Sequence, residues 1–149
     1  MPELAYNKRA TFDYELLDHY EAGLMLAGQE VKSAKTGHIS LRGAFVTRKE
    51  GEFYLTNANI PFYIHAGEPK NYDPTHPRKL LLHKSEIKKL IGKMAVEGLT
   101  LVPIRVYTKR RLIKLEFAVG KGKKQYDKRD SIAKRETQRS IQRTLKNDK

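Results

Sequence analysis

The chain of 149 residues has no cysteine and no tryptophan. Without cysteine it has no disulfide framework, no thiolate nucleophile and no Cys-ligated zinc, and a reducing cytoplasm is its expected home. It also lacks any apolar run near the roughly 20 residues that cross a bilayer. The opening Met1-Pro-Glu-Leu-Ala-Tyr-Asn-Lys-Arg lacks the apolar segment of a secretory signal, so a soluble protein with no membrane partner is expected. Internal repeats are missing as well. Acid is scarce beside base: 17 Asp and Glu face 30 Lys and Arg, a formal charge of +13 that argues for a polyanionic partner.

Catalytic patterns are equally sparse. The five histidines, at 19, 38, 65, 76 and 83, have no paired helical spacing, so each reads as solvent-facing or structural rather than as a metal ligand. Asp13, Glu15 and Asp18 fall where a strand should face solvent, the usual place for charge. Gly120-Lys-Gly-Lys-Lys lacks the spacing and the hydroxyl of a nucleotide-binding loop. What it offers is backbone free to approach phosphate, a hinge that could lie on RNA. No catalytic residue, cofactor or metal is expected, and the protein reads as a non-enzyme.

What the sequence does have is a basic end. Residues 120–149 hold eleven Lys or Arg against four acids, a net +7, whereas the preceding 119 residues carry +6. After Tyr126 the only apolar side chains are Ile132, Ala133, Ile141 and Leu145, too few to offset the ordering entropy of the segment. The reading is therefore a domain over 1–119 and a tail over 120–149 that is disordered when free. Lys128, Arg135, Arg139, Arg143 and Lys146, separated by seven, four, four and three residues, fall on one stripe at helical period. Such a stripe repels itself alone and becomes favourable beside a polyanion, so the tail is expected to fold as a helix on RNA; a solvated solubility tail is the alternative.

Along the first 119 residues, alternation at Phe12, Tyr14 and Leu16 predicts a strand that continues past a bend through Leu26, with Gly23 marking a bulge or a close backbone approach. Gly28–Gly37 reads as a short helix. Ile39–Leu41 with Ala44–Thr47 and then Phe53–Thr56 reads as a hairpin, Asn57–Ile64 as a further strand and His65–Pro77 as a long loop. Ile87, Leu90, Ile91, Met94 and Ala95 recur at helical intervals, predicting a helix that Gly98 stops. Two strongly patterned strands follow, Leu99–Tyr107 and Leu112–Val119, joined through Arg110-Arg111 where an Asn/Gly-type turn would be ordinary. The fold class is mainly β with short helices: an antiparallel barrel of the oligonucleotide-binding kind with flanking helices, followed by the basic tail.

Three residues have two readings each. Tyr126, among Lys123, Lys124, Lys128 and Arg129, could stack on an unpaired base or pack back on the barrel. Leu81 is core by default, but beside Arg78 and Lys79 an exposed Leu could pack on a base or ribose. Glu21 is by default a surface acid, and on a basic face it could accept from base donors or a ribose 2′-hydroxyl.

Motifs in series carry a resemblance: Asn7-Lys-Arg-Ala, Glu21-Ala-Gly, Gly28-Gln-Glu-Val-Lys-Ser, Arg78-Lys-Leu-Leu-Leu-His, Gly98-Leu-Thr-Leu-Val-Pro and Lys121-Gly-Lys-Lys-Gln-Tyr-Asp-Lys-Arg. Through them nearly the whole chain resembles the SsrA-binding protein (SmpB) family, partners of tmRNA in trans-translation. The resemblance implies a barrel that binds the tRNA-like domain of tmRNA and enters stalled ribosomes, with a tail probing the empty mRNA channel. By similarity Asn7, Glu21, Leu81 and Lys114 face tmRNA, with Lys32, Lys121, Lys123 and Lys124 as phosphate contacts. Tyr126 corresponds to an aromatic that stacks on small-subunit rRNA near the decoding centre. Lys128, Arg129, Arg135, Arg139, Ile141, Arg143 and Leu145 would engage the ribosome, Ile141 and Leu145 anchoring the induced helix. The bound protein is expected to be a monomer. A generic single-strand RNA-binding or ribosomal barrel protein is the rival reading.

Overall fold

The computed structural model describes residues 3–67 and 71–123. In chain order these form β1 (Glu3–Tyr6), α1 (Ala10–Asp13), β2 (Tyr14–Leu24), α2 (Gly28–Lys35), β3 (Phe45–Lys49), β4 (Glu52–Thr56), β5 (Arg78–Leu81), α3 (Lys84–Met94), β6 (Leu99–Lys109) and β7 (Leu112–Gly122). The seven strands make one antiparallel sheet in the order β1-β6-β7-β2-β5-β4-β3. Its two ends are not joined by a ladder among the described residues, yet β3 packs against β6, so the sheet curls into an open barrel with flanking helices.

Alternation fills the inside of that curl. Ala22 and Leu24 of β2, Phe53 and Leu55 of β4, Leu80 of β5, and Leu115, Phe117 and Val119 of β7 form one buried cluster, joined by Leu90 of α3 and Ala34 of α2. A second, smaller cluster of Ala10, Val102, Ile104 and Ala118 forms where α1 covers β6 and β7. β6 is therefore buried over four consecutive residues, Leu101 to Ile104, rather than on alternate ones.

That cover corrects the first strand: residues 10–13 form a helical turn, and the extended chain starts at Tyr14. The bulge in β2 lies between Leu16 and His19, not at Gly23. Gly23 is instead a close approach, because a β-carbon there would sit 3.3 Å from Leu81 Cβ. Asn57–Ile64 is not a strand: apart from a single bridge between Ser40 and Asn59 it is irregular, ending in a 3-10 turn at Ile64–Ala66. Ile39–Leu41 likewise contributes only that bridge. α3 ends at Met94, and Gly98, with φ of 85°, turns the chain four residues later. The β6–β7 turn is a tight hairpin turn made without Asn or Gly, Arg110 and Arg111 both taking left-handed φ of 50° and 69°. An L-residue pays roughly 1–2 kcal/mol for such a conformation, which the ten-residue ladder behind the turn outweighs.

Gly120 and Gly122 lie within β7, paired to Leu16 and Tyr14, so the glycines are strand positions rather than a free hinge. At Gly120 a β-carbon would meet Val102 Cγ2 at 2.7 Å and Tyr14 Cβ at 3.3 Å, whereas at Gly122 it would meet nothing within 4 Å. Gly120→Ala is therefore expected to destabilise by about 1–3 kcal/mol through overpacking, with Gly122→Ala within about 0.5 kcal/mol of the parent. Urea unfolding of the two variants checks this, and equal midpoints would refute the close packing of β7 on Val102 and Tyr14.

Candidate nucleic-acid interface

Register places three of the anticipated residues together. Gly23 of β2 pairs with Leu81 of β5 on one side and with Lys114 of β7 on the other. Glu21, two residues earlier on β2, points away from the core that Ala22 enters. Leu81 is 49% exposed, which excludes the core reading for it. The groove beside it is lined by Lys79, Lys84, Ile87 and Lys114 among others, with Glu52 the acid in that lining. Lys79 lies 3.9 Å from Glu52, both in partial contact with solvent, a pair of small energetic weight.

Glu21 is held rather than loose. The Tyr107 hydroxyl donates to its Oε2, and Lys109 Nζ lies 3.3 Å from its Oε1. The Tyr107 bond, together with the charges of Lys109 and Lys114, outweighs desolvation and keeps the carboxyl below its ordinary range. Burial and the same carboxylate push the Tyr107 hydroxyl far above its usual value, so it stays a protonated donor. Beside it Arg105 donates to Glu116 at 2.7 Å and lies over the Tyr107 ring, 4.8 Å from its centroid. Tyr107 and Lys109 carried no sequence signal of this role, because Tyr107 closes a hydrophobic strand run and Lys109 sits in the basic stretch after it, and both meet Glu21 only through the β2–β7–β6 register.

The remaining anticipated residues lie elsewhere. Asn7 is half-buried and its amide is committed to the fold: Nδ2 donates to the Pro103 carbonyl at 2.8 Å, and Oδ1 accepts from the Arg9 N–H at 3.2 Å. Lys123 Nζ donates to the Thr11 carbonyl at 2.9 Å, on the same α1 turn, and Lys121 is exposed on β7. Lys121 stands seven residues from Lys114 along that strand, about 23 Å at the usual rise. Lys32 is on α2, its ammonium 5.9 Å from the centre of the Tyr63 ring. Lys124, Tyr126, Lys128, Arg129, Arg135, Arg139, Ile141, Arg143 and Leu145 lie outside the described residues.

A buried polar cluster has no counterpart in the sequence reading. Glu30 and Arg78, 3% and 1% exposed, face each other across α2 and β5. Glu30 Oε2 accepts from Arg78 Nε at 2.9 Å and Nη2 at 2.7 Å and from His76 Nε2 at 2.9 Å, with the Tyr72 hydroxyl oxygen 3.2 Å away, while Oε1 accepts the Ala27 N–H at 3.0 Å. Burial raises the Glu30 pKa, but the bonds from Ala27 and Arg78 and the Arg78 charge more than reverse it, leaving it lowered. His76 is thus a bonded structural histidine. Among the described residues no group of His, Cys, Asp or Glu is placed to hold a metal, and no helix is long and apolar enough to cross a membrane.

A basic, curled antiparallel sheet that presents an exposed Leu and several ammonium groups on neighbouring strands defines a nucleic-acid-binding protein of the oligonucleotide-binding architecture. The model of the SmpB protein family matches residues 4–147. The SsrA-binding protein of Trichormus variabilis is 48% identical over 95% of this chain and 91% of its own length. That of Thermosipho africanus is 47% identical over the whole of both. Among solved structures, a chain described under "tmRNA-SmpB: a journey to the center of the bacterial ribosome" is 45% identical, with a TM-score of 0.66 over 80% of this chain and 84% of that one. The chain belongs to the SmpB family.

Proposed function

We propose that this protein binds the tRNA-like domain of tmRNA and brings it to stalled ribosomes for trans-translation, as a cytoplasmic RNA-binding factor and not an enzyme. The observation that carries this reading is the junction of β5, β2 and β7, where exposed Leu81, anchored Glu21 and Lys114 lie side by side. A carboxylate fixed by Tyr107 and flanked by cations suits a ribose 2′-hydroxyl or a base amino group, while the Lys side chains suit phosphate. The groove beside Leu81 is lined by aliphatic side chains, ammonium groups, His83 and one carboxylate, Glu52, without Tyr, Phe or Trp. Barrels that bind single strands rely on stacked aromatic platforms. At this groove, then, packing on a folded RNA surface is favoured over base stacking, the mode a generic single-strand binder would use there.

The second half of the proposal concerns the tail. Residues after Asp127 would leave tmRNA free and coil inside the empty mRNA channel, with Lys128, Arg135, Arg139, Arg143 and Lys146 along rRNA phosphates and Ile141 and Leu145 as apolar anchors. Tyr126 would stack on an rRNA base near the decoding centre.

Competition tests the first half. With labelled tmRNA bound at about 200 mM salt, where nonspecific phosphate binding is strongly weakened, excess unstructured RNA is expected to leave the complex intact while unlabelled tmRNA displaces it. Equal displacement by both RNAs, at every salt concentration, would establish the rival.

A further inference from the structure

The described residues between β4 and β5 have little regular structure, yet they are fixed at several points. Arg78 Nη1 donates to the Ala58 carbonyl at 2.6 Å, and the Tyr72 hydroxyl donates to the Ile60 carbonyl at 2.6 Å. The Ile60 N–H reaches the Pro74 carbonyl at 2.9 Å, and the Tyr63 N–H donates to Gln29 Oε1 at 2.9 Å. The Glu30–Arg78 cluster is the root of these contacts. A buried ion pair adds little stability over an apolar replacement, but it fixes geometry, and second-layer bonds of this kind are what hold a binding element in place.

The element held in place is apolar, with Phe62 and Tyr63 half-buried behind an exposed tip. Ile64 is 81% exposed at the tip. Tyr63 packs edge-on against His65 at 5.3 Å, and Phe62 against Tyr72 at 5.3 Å. Between this tip and α2 runs an open cleft lined by Ser33, Thr36, His38 and residues 61–65, with no carboxylate in its lining. Lys32 stands over the Tyr63 ring from the α2 side. An aromatic ring with an open cleft beside it and an ammonium group next to the ring are what an unpaired base with its own phosphate requires. Arg78, which anchors this segment, and the exposed Leu81 are the two ends of β5, about 10 Å apart at strand rise, so one strand braces the tip and carries the Leu81 patch.

We propose that Tyr63 is a stacking platform for one unpaired base of the tRNA-like domain of tmRNA, with Lys32 taking the adjoining phosphate. The proposal rests on the tmRNA reading above and adds a contact to it. One stacked base is worth about 1–3 kcal/mol, which converts to a loss of roughly 5- to 160-fold in affinity.

The test titrates tmRNA with the full chain and its Tyr63→Phe, Tyr63→Leu and Lys32→Ala variants across a salt series. Tyr63→Leu is expected to weaken binding within that range at an unchanged salt slope, because no charge is lost. Tyr63→Phe should stay close to the parent, and Lys32→Ala should reduce the slope by about 0.7–0.9. Leu keeps an apolar side chain in the loop, so an unchanged unfolding midpoint separates lost stacking from lost fold. Tyr63→Leu binding within twofold of the parent would overturn the proposal. So would a defect confined to the docking of a preformed tmRNA complex on stalled ribosomes, which would assign the tip to the ribosome instead. If the parent itself does not prefer tmRNA to unstructured RNA, the functional reading fails instead, which is a separate result.

Discussion

Glu30→Ala is expected to lower the stability of the folded chain by about 3–5 kcal/mol, the ordinary result of leaving one partner of a buried ion pair without the other. The stranded group would be the Arg78 guanidinium, 1% exposed, with only the Ala58 carbonyl and the Tyr72 hydroxyl left among its present partners. Replacing both residues, as Glu30→Leu with Arg78→Met, should recover much of the loss because no charge then stays buried unpaired. The sign with pH follows from the lowered Glu30 pKa. A carboxylate whose folded pKa is depressed contributes stability above its unfolded value of about 4.3 and loses it as pH falls through the folded value. Urea unfolding of the parent and Glu30→Gln at pH 7 and at pH 3 should therefore show a gap that narrows on acidification. A gap that is constant, or below about 1 kcal/mol at pH 7, would mean that the pair is not the anchor it is taken to be here.

The same pair shows where the sequence stops being readable. β6, β7, α2, α3 and the β3–β4 hairpin were legible because their signals are local: alternation in β7, a long apolar run in β6, Leu90 and its neighbours in α3, and a Glu50-Gly51 turn. β1 was not, since Glu3–Tyr6 is four residues long and extended only through its pairing with β6. Residues 10–13 carry a strand-like alternation, but Ala10 is needed against Val102 and Ala118, and that packing selects a helical turn. Nothing in the chain announces that Glu30 meets Arg78 forty-eight positions later. Charged residues are taken as surface until topology shows otherwise, so the cluster stayed invisible.

The anticipated tmRNA-facing residues divide along the same line. Leu81, Glu21 and Lys114 come together because β2 pairs with both β5 and β7, a topology that no motif spells out. Asn7 belongs to a different place, its side chain bonded to Pro103 and to the Arg9 backbone. In this structure Asn7 shapes the entry to α1, and any contribution to RNA binding from its side chain would need one of those bonds to be shared. The proposed interface would thus be a patch around Leu81 plus two outlying basic groups, Lys32 on α2 and Lys121 with Lys123 at and just past the far end of β7.

Deleting the residues after Asp127 should separate binding from rescue: tmRNA affinity is expected to stay within a few-fold of the parent while tagging of stalled peptides is lost. The deleted stretch removes eight Lys and Arg and three acids. If those cations contacted tmRNA, the slope of log affinity against log salt would fall by about 0.9 for each phosphate released. The truncated chain keeps the Leu81 patch and Lys121, Lys123 and Lys124, so an unchanged slope is the expected reading. Loss of tagging at intact tmRNA affinity would place the work of the tail on the ribosome, where a self-repelling cationic stripe gains by coiling among phosphates. A milder variant sharpens the point. Ile141→Asp with Leu145→Asp preserves every cation but removes the apolar anchors, and it should impair tagging without touching tmRNA binding. If instead the truncation weakened tmRNA binding by orders of magnitude, the tail would be part of the tmRNA grip and the division between a binding body and a probing extension would be wrong.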